Sequence, residues 1–145
     1  MARESGARAR QLSRELLVKA LYQWQIAGHG VREITTQFED LADWAKCDRD
    51  YFSELLAHVV DDVAALDALI AKQATRSLEQ LDAVGRAILL LGLAELKYRD
   101  DVPQKVVINE GVELAKRYGA MDSFKFVNAV LDKTARELRA KAAAP

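Results

Sequence analysis

The sequence has little of what usually staples or interrupts a small fold: one cysteine, two prolines and seven glycines among 145 residues. The lone thiol, Cys47, can close no internal disulfide, so the chain must be held by its core. Cys47, His29 and His58 offer no ligand pair at a recognised metal-site spacing, which leaves Cys47 as a structural or inert residue. No apolar run approaches the ~18–20 residues of a membrane span. The N-terminal segment carries charges where a signal peptide would carry its apolar region. A cytoplasmic location with no membrane partner is therefore expected. A Gly-rich phosphate loop and a nucleophile with a matched base are also missing, so no catalytic activity and no cofactor are expected.

What is present is a chain with half its residues apolar, long enough to bury one core. A single domain over 1–145 is expected, with flexible ends at 1–8 and 140–145. Between the few glycines and prolines the apolar residues recur at helical spacing, so the fold class is all-α: a compact bundle of about six or seven helices, in two packed sub-bundles. The first helix ends at Gly28-His29-Gly30. A second spans Val31 to Ala45, with Ile34, Phe38, Leu41 and Ala45 on one face. Asp48 or Asp50 caps a third, whose stripe runs Phe52, Leu55, Leu56, Val59, Val63, Leu66 and Ile70. A short helix or turn is expected near Arg76 to Leu81. Asp82 then caps a helix containing AILLLGLAEL, apolar on nearly every side and so the central element. Val102-Pro103 opens the next helix, which Gly119 ends, and Asp122 or Ser123 caps the last.

The net charge of −1 conceals a strong asymmetry. Five bases (Arg3, Arg8, Arg10, Arg14, Lys19) face two acids near the start, and five (Lys125, Lys133, Arg136, Arg139, Lys141) face Asp132 and Glu137 near the end. From Val31 to Asp67, ten acids face only Arg32, Lys46 and Arg49. A polyanion would meet the two ends of the chain, if they lie together, and avoid the middle. On the first helix Ser13, Leu16, Leu17, Ala20, Leu21 and Trp24 form the core face. Tyr22 points roughly 190° away, among Gln11, Glu15 and Val18, with Arg14, Gln25 and Lys19 at the flanks. On the last helix Phe126 sits about 120° from the centre of its apolar stripe. If these helices are neighbours, Tyr22 and Phe126 flank one surface with Arg10, Arg14, Lys125 and Lys133 around it. Aromatic faces for unpaired bases beside cations for phosphates suit single-stranded nucleic acid.

Four blocks then carry a likeness along nearly the whole chain: SRELLVKALYQWQ, YFSELLAHVV, LDAVGRAILLLGLAEL and VPQKVVINEGVELAKRYGAMDSFKFVNAVLDK. They resemble the NusB family of bacterial transcription antitermination factors, the last block most specifically. The resemblance implies an all-helical RNA-binding protein without catalytic activity. It implies a partner, the small-subunit ribosomal protein NusE, with which boxA RNA is bound. It further implies action with NusA, NusG and RNA polymerase on ribosomal RNA operons. In the family the arginine-rich N-terminal segment and the residues matched by Tyr22, Asp122 and Phe126 belong to the RNA-facing region. The expected RNA-binding set is thus Arg10, Arg14, Tyr22, Asp122, Lys125 and Phe126, with the NusE contacts unassigned. Asp122 could cap the last helix or accept from a base amino group, and both readings stay open.

Departures from the family pattern weaken particular inferences. Gln11 and Leu12 interrupt an arginine run that is often denser, which lowers the affinity expected for RNA alone. Gly85 stands where a capping-box glutamate often follows Asp82, at a helix cost of up to ~1 kcal/mol. Leu90 replaces a common arginine, and Ala129 a common glycine. A NusB-like domain also begins some ribosomal RNA cytosine methyltransferases, but with the sequence ending at Pro145 no catalytic domain of that kind is expected. The alternative function is a protein-interaction adaptor, or a helical module that self-associates as a homodimer.

Overall fold

The most apolar stretch of the sequence forms the axis of the fold. In the computed structural model, which describes residues 2–73 and 81–143, this stretch is α5 (Ala83–Tyr98). Asp82 caps it, its carboxylate accepting the Gly85 N–H at 2.6 Å. This half of a capping box works without the glutamate. Gly85 and every residue from 87 to 96 are buried, each fully buried leucine worth about 1.5–3 kcal/mol relative to exposure. Leu90, the departure from a common arginine, is one of them.

Around α5 lie α1 (Ala2–Ala27), α2 (Val31–Phe38), α3 (Arg49–Asp61), α4 (Val63–Gln73), α6 (Gln104–Tyr118) and α7 (Ser123–Ala143), with a 3₁₀ turn at Ala42–Ala45. Among the described residues there is no strand. Helices α1, α2 and α3 pack on one another, as do α5, α6 and α7, while α4 bridges α5 and α7. Contacts of α5 with α1 and α3 join the two sets, and one continuous apolar core runs through both. The first helix begins at Ala2 and the last ends at Ala143. The expected element near Arg76 to Leu81 lies largely outside the described residues.

Helices α5, α6 and α7 approach closely because glycine faces a leucine. A Cβ on Gly92 would sit 2.8 Å from Leu131 Cδ2, and one on Gly111 2.7 Å from Leu131 Cδ1. Both distances lie inside van der Waals contact, so the Leu131 side chain occupies space that any larger residue would need.

Two expected helices break. The second stops at Phe38, and Leu41, meant for its buried stripe, is exposed with an extended backbone. The core instead takes Phe38 stacked on Phe52, with ring centroids 5.7 Å apart, and Trp44 edge-on to Phe52 at 5.2 Å. The third is two helices, interrupted at Asp62 (φ −113°, ψ 18°). The Asp62 carboxylate accepts from Lys97 Nζ at 2.6 Å and from the Tyr98 hydroxyl at 2.7 Å. The break lets α3 face α1 while α4 turns towards α7, although the apolar stripe continues across it without a gap.

Candidate nucleic-acid interface

Helix α1 presents the expected core face: Ser13, Leu16, Leu17, Ala20 and Leu21 are buried. On its outer side Tyr22 is 44% exposed and Ile26, one turn on, 65%. The polar setting expected for Tyr22 is only partly there. Val18 is buried, and Gln25 is committed to α5, donating to the Ala83 carbonyl at 2.8 Å and accepting from Arg86 at 3.1 Å. Lys19 remains exposed.

Arg14, expected to contact phosphate, is turned into the helix junction and paired there. It is 3% exposed and Glu95, on α5, is 1% exposed. Arg14 Nε donates to Glu95 Oε2 at 3.0 Å, and the Tyr51 hydroxyl of α3 donates to the same oxygen. Burial pushes the Glu95 carboxyl up, against the pull of the Arg14 charge and of both hydrogen bonds. Burial and the neighbouring Glu95 push the Tyr51 hydroxyl up, which keeps its proton available for donation. Three guanidinium groups surround the Tyr51 ring, with Cζ atoms of Arg10, Arg99 and Arg14 at 4.6, 4.9 and 5.4 Å from the centroid. The unit pins α1 to α3 and α5. Its members lie 37 and 81 residues from Arg14 in sequence, so helix-face arithmetic on α1 alone could not reveal it.

Arg10 lies at the edge of this cluster, half-exposed and loosely paired with Asp101 at 3.5 Å and Asp48 at 3.7 Å. Arg10 and Tyr22 are about 18 Å apart along α1 and roughly 120° around it, so they do not share one face. Lys125 is exposed and lies 3.9 Å from the Asp122 carboxylate. Asp122 precedes α7 with a left-handed backbone, φ +64°, unlike the extended geometry of a side-chain N-cap. Phe126 is half-buried and packs against the core.

Side chains from the end of α6 join α1 to this corner. Glu15 pairs with Arg117 and accepts from the Tyr118 hydroxyl at 3.5 Å. Lys19 Nζ lies 6.0 Å from the Tyr118 ring centroid. Lys116 and Lys125 lie 5.2 and 6.0 Å from the ring of Phe124. Tyr118, in the last turn of α6, is 36% exposed. Met121 in the following loop is 93% exposed.

Two grooves of about 430 Å³ run beside the N-terminal half of α1. Glu15, Glu110 and Glu113 outnumber Arg8 and Arg117 in the first, while Asp48, Asp101 and Glu110 outnumber Arg10 and Arg14 in the second. Neither suits a polyanion, so the cations and rings available to one are on the outer surfaces of α1 and the α6–α7 corner. Among the described residues no group of His, Cys, Asp and Glu could hold a metal ion, and no helix is long and apolar enough to cross a membrane.

The fold and this surface define a small all-helical protein whose accessible features are those of a binding face. The sequence pattern of the NusB family matches residues 11–136, and the chain belongs to that family. The transcription antitermination protein NusB of Alcanivorax borkumensis is 52% identical over 139 residues, spanning 96% of this chain and 93% of that protein. The NusB protein of Photorhabdus laumondii is 49% identical, over 92% of this chain and 96% of its own. Among solved structures, T. maritima NusB superposes with a TM-score of 0.79 at 31% identity, covering 88% of this chain and 91% of that one. A crystal structure of the antitermination factors NusB and NusE in complex with double-stranded RNA matches with a TM-score of 0.77 at 26% identity, over 90% and 98% of the two chains.

Proposed function

We propose that this chain is an RNA-binding transcription antitermination factor that works with the ribosomal protein NusE. The pair binds boxA RNA and, with NusA, NusG and RNA polymerase, supports processive transcription of ribosomal RNA operons in the cytoplasm. The chain acts as one binding domain and catalyses no reaction. The observation that carries this reading is the match to a NusB that is held with NusE and RNA in a solved complex, together with relatives near 50% identity that bear the antitermination name.

Within this reading Tyr22 supplies a face for base stacking, Lys125 supplies charge, and Asp122 and Phe126 border the site at the start of α7, while Arg10, on another face of α1 and paired with Asp48 and Asp101, stands apart from it. Arg14 holds α1 in place and touches no RNA. The RNA in the solved complex is a duplex, whereas exposed rings beside cations favour unpaired bases. The test is fluorescence anisotropy of labelled single-stranded boxA RNA, a scrambled strand and a boxA duplex, with and without NusE, at two salt concentrations. Binding that prefers single-stranded boxA, strengthens with NusE and weakens about 5- to 100-fold in Tyr22→Ala supports the reading. Equal and steeply salt-dependent binding to all three RNAs would reduce the site to a basic surface.

A further inference from the structure

Lys19 differs from the other cations at the junction of α1 and α6. Arg117 is paired with Glu15, Lys116 lies 3.7 Å from Glu113, and Lys125 lies 3.9 Å from Asp122. Among the described residues Lys19 faces a ring rather than a carboxylate, its Nζ 6.0 Å from the centroid of Tyr118. That distance is the outer limit at which the negative face of a ring attracts a cation. The ammonium is therefore loosely held and keeps its charge available. Tyr118 is loosely held too: its hydroxyl is 3.5 Å from Glu15, long for an O–H···O bond, and its ring is exposed.

Lys19 and Tyr22 are three residues apart on α1, neighbours on the helix surface with a rise of about 4.5 Å between them. Lys19 is thus a helix-surface neighbour of one exposed ring, Tyr22 on α1, and lies 6.0 Å from a second, Tyr118 at the end of α6. We propose that Tyr118 and Lys19 form a second stacking step for single-stranded RNA beside Tyr22. Tyr118 takes an unpaired base, and Lys19 moves from the ring to the phosphate linking that base to the one on Tyr22. This rests on the RNA-binding reading above. A duplex keeps its bases stacked internally and has no use for two such rings. An apolar protein surface would bury Lys19 without a carboxylate, at a large desolvation cost.

The test uses the full chain with NusE and labelled single-stranded boxA RNA, comparing wild type, Tyr22→Ala, Tyr118→Ala, Tyr118→Phe and Lys19→Gln, with thermal melts by circular dichroism for each. Tyr118→Ala is expected to weaken binding about 5- to 100-fold, and Tyr118→Phe, which keeps the ring, to restore most of that loss. Lys19→Gln is expected to lower the slope of log affinity against log salt by about 0.7, the loss of one phosphate contact to a single strand. If Tyr22→Ala weakens binding while Tyr118→Ala does not, the second step is wrong and the RNA-binding reading survives. An equal loss in Tyr118→Phe and Tyr118→Ala would assign the effect to the Glu15 hydrogen bond and overturn the stacking role. An unchanged salt slope in Lys19→Gln would overturn the phosphate contact. Failure of the wild type to bind boxA would remove the RNA reading and this proposal with it.

Discussion

Removing the Arg14 side chain is expected to leave the RNA face chemically intact yet cost much of the fold. In Arg14→Ala the Glu95 carboxylate stays buried with only the Tyr51 hydroxyl to hold it. Breaking one side of a buried pair costs about 3–5 kcal/mol, against a total stability of roughly 5–15 kcal/mol for a domain. With a urea m-value of about 2 kcal/mol/M, the midpoint should fall by about 1.5–2.5 M. The loss should also depend on pH. Burial raises the Glu95 carboxyl, and without Arg14 less opposes that rise. A folded state that binds more protons than the unfolded one loses stability as pH increases. The deficit of the variant should thus be smallest near the ordinary carboxylate value of about 4.3 and grow as pH rises above it. Urea titrations of wild type and variant at pH 5 and pH 8 give both quantities. Replacing all three members, as in Arg14→Met with Tyr51→Phe and Glu95→Leu, should recover most of the loss, because well-packed apolar residues can substitute for a buried polar unit when no member is left unpaired. A midpoint shift below about 0.5 M, or a deficit that is flat in pH, would refute a buried and uncompensated Glu95 as the cause.

Other residues give independent tests of packing, capping and charge. Gly111→Ala should destabilise the chain, since an overpacking cost of about 1–3 kcal/mol against Leu131 exceeds a helix-propensity gain of roughly 1 kcal/mol. The same change in a Leu131→Ala background should stabilise it, which thermal melts of the two pairs will show. Asp82→Ala removes the cap on the Gly85 N–H and should lower stability by about 1 kcal/mol, read as a fall in urea midpoint with an unchanged m-value. Asp101, held by Arg99 at 2.9 Å, has its carboxyl lowered to about 2. Its contribution is therefore present above the ordinary carboxylate value and lost as pH falls towards about 2. Asp101→Asn should flatten the acid limb of the stability profile in that window, and an unaltered limb would mean the Arg99 pair is not felt.

Most of the helices, the caps at Asp48 and Asp82 and the identity of the central element were legible in the sequence because each depends on local spacing. The run from Ala87 to Leu96 is apolar on nearly every side, Glu95 excepted, and the only way to dry such a helix is to surround it. Asp82 and Gly28 act through neighbours within one turn, the latter with the left-handed φ of +71° that glycine allows. Tyr22 was placed on the outside of α1 by the same arithmetic. Tertiary structure alone decided where the stripe through Val59, Val63 and Leu66 breaks, because periodicity is blind to a change of direction that preserves its phase. It decided that Leu131 needs Gly92 and Gly111, two residues that look like helix weaknesses until the facing side chain is known. It also divided the arginines of α1. One surface-compatible helix position holds Arg10 at the rim and another holds Arg14 in the interior, because Tyr51 and Glu95 converge on Arg14 from two other helices. A charge on a helix face is solvated or buried according to what packs against it, and that is a property of contacts far apart in the chain.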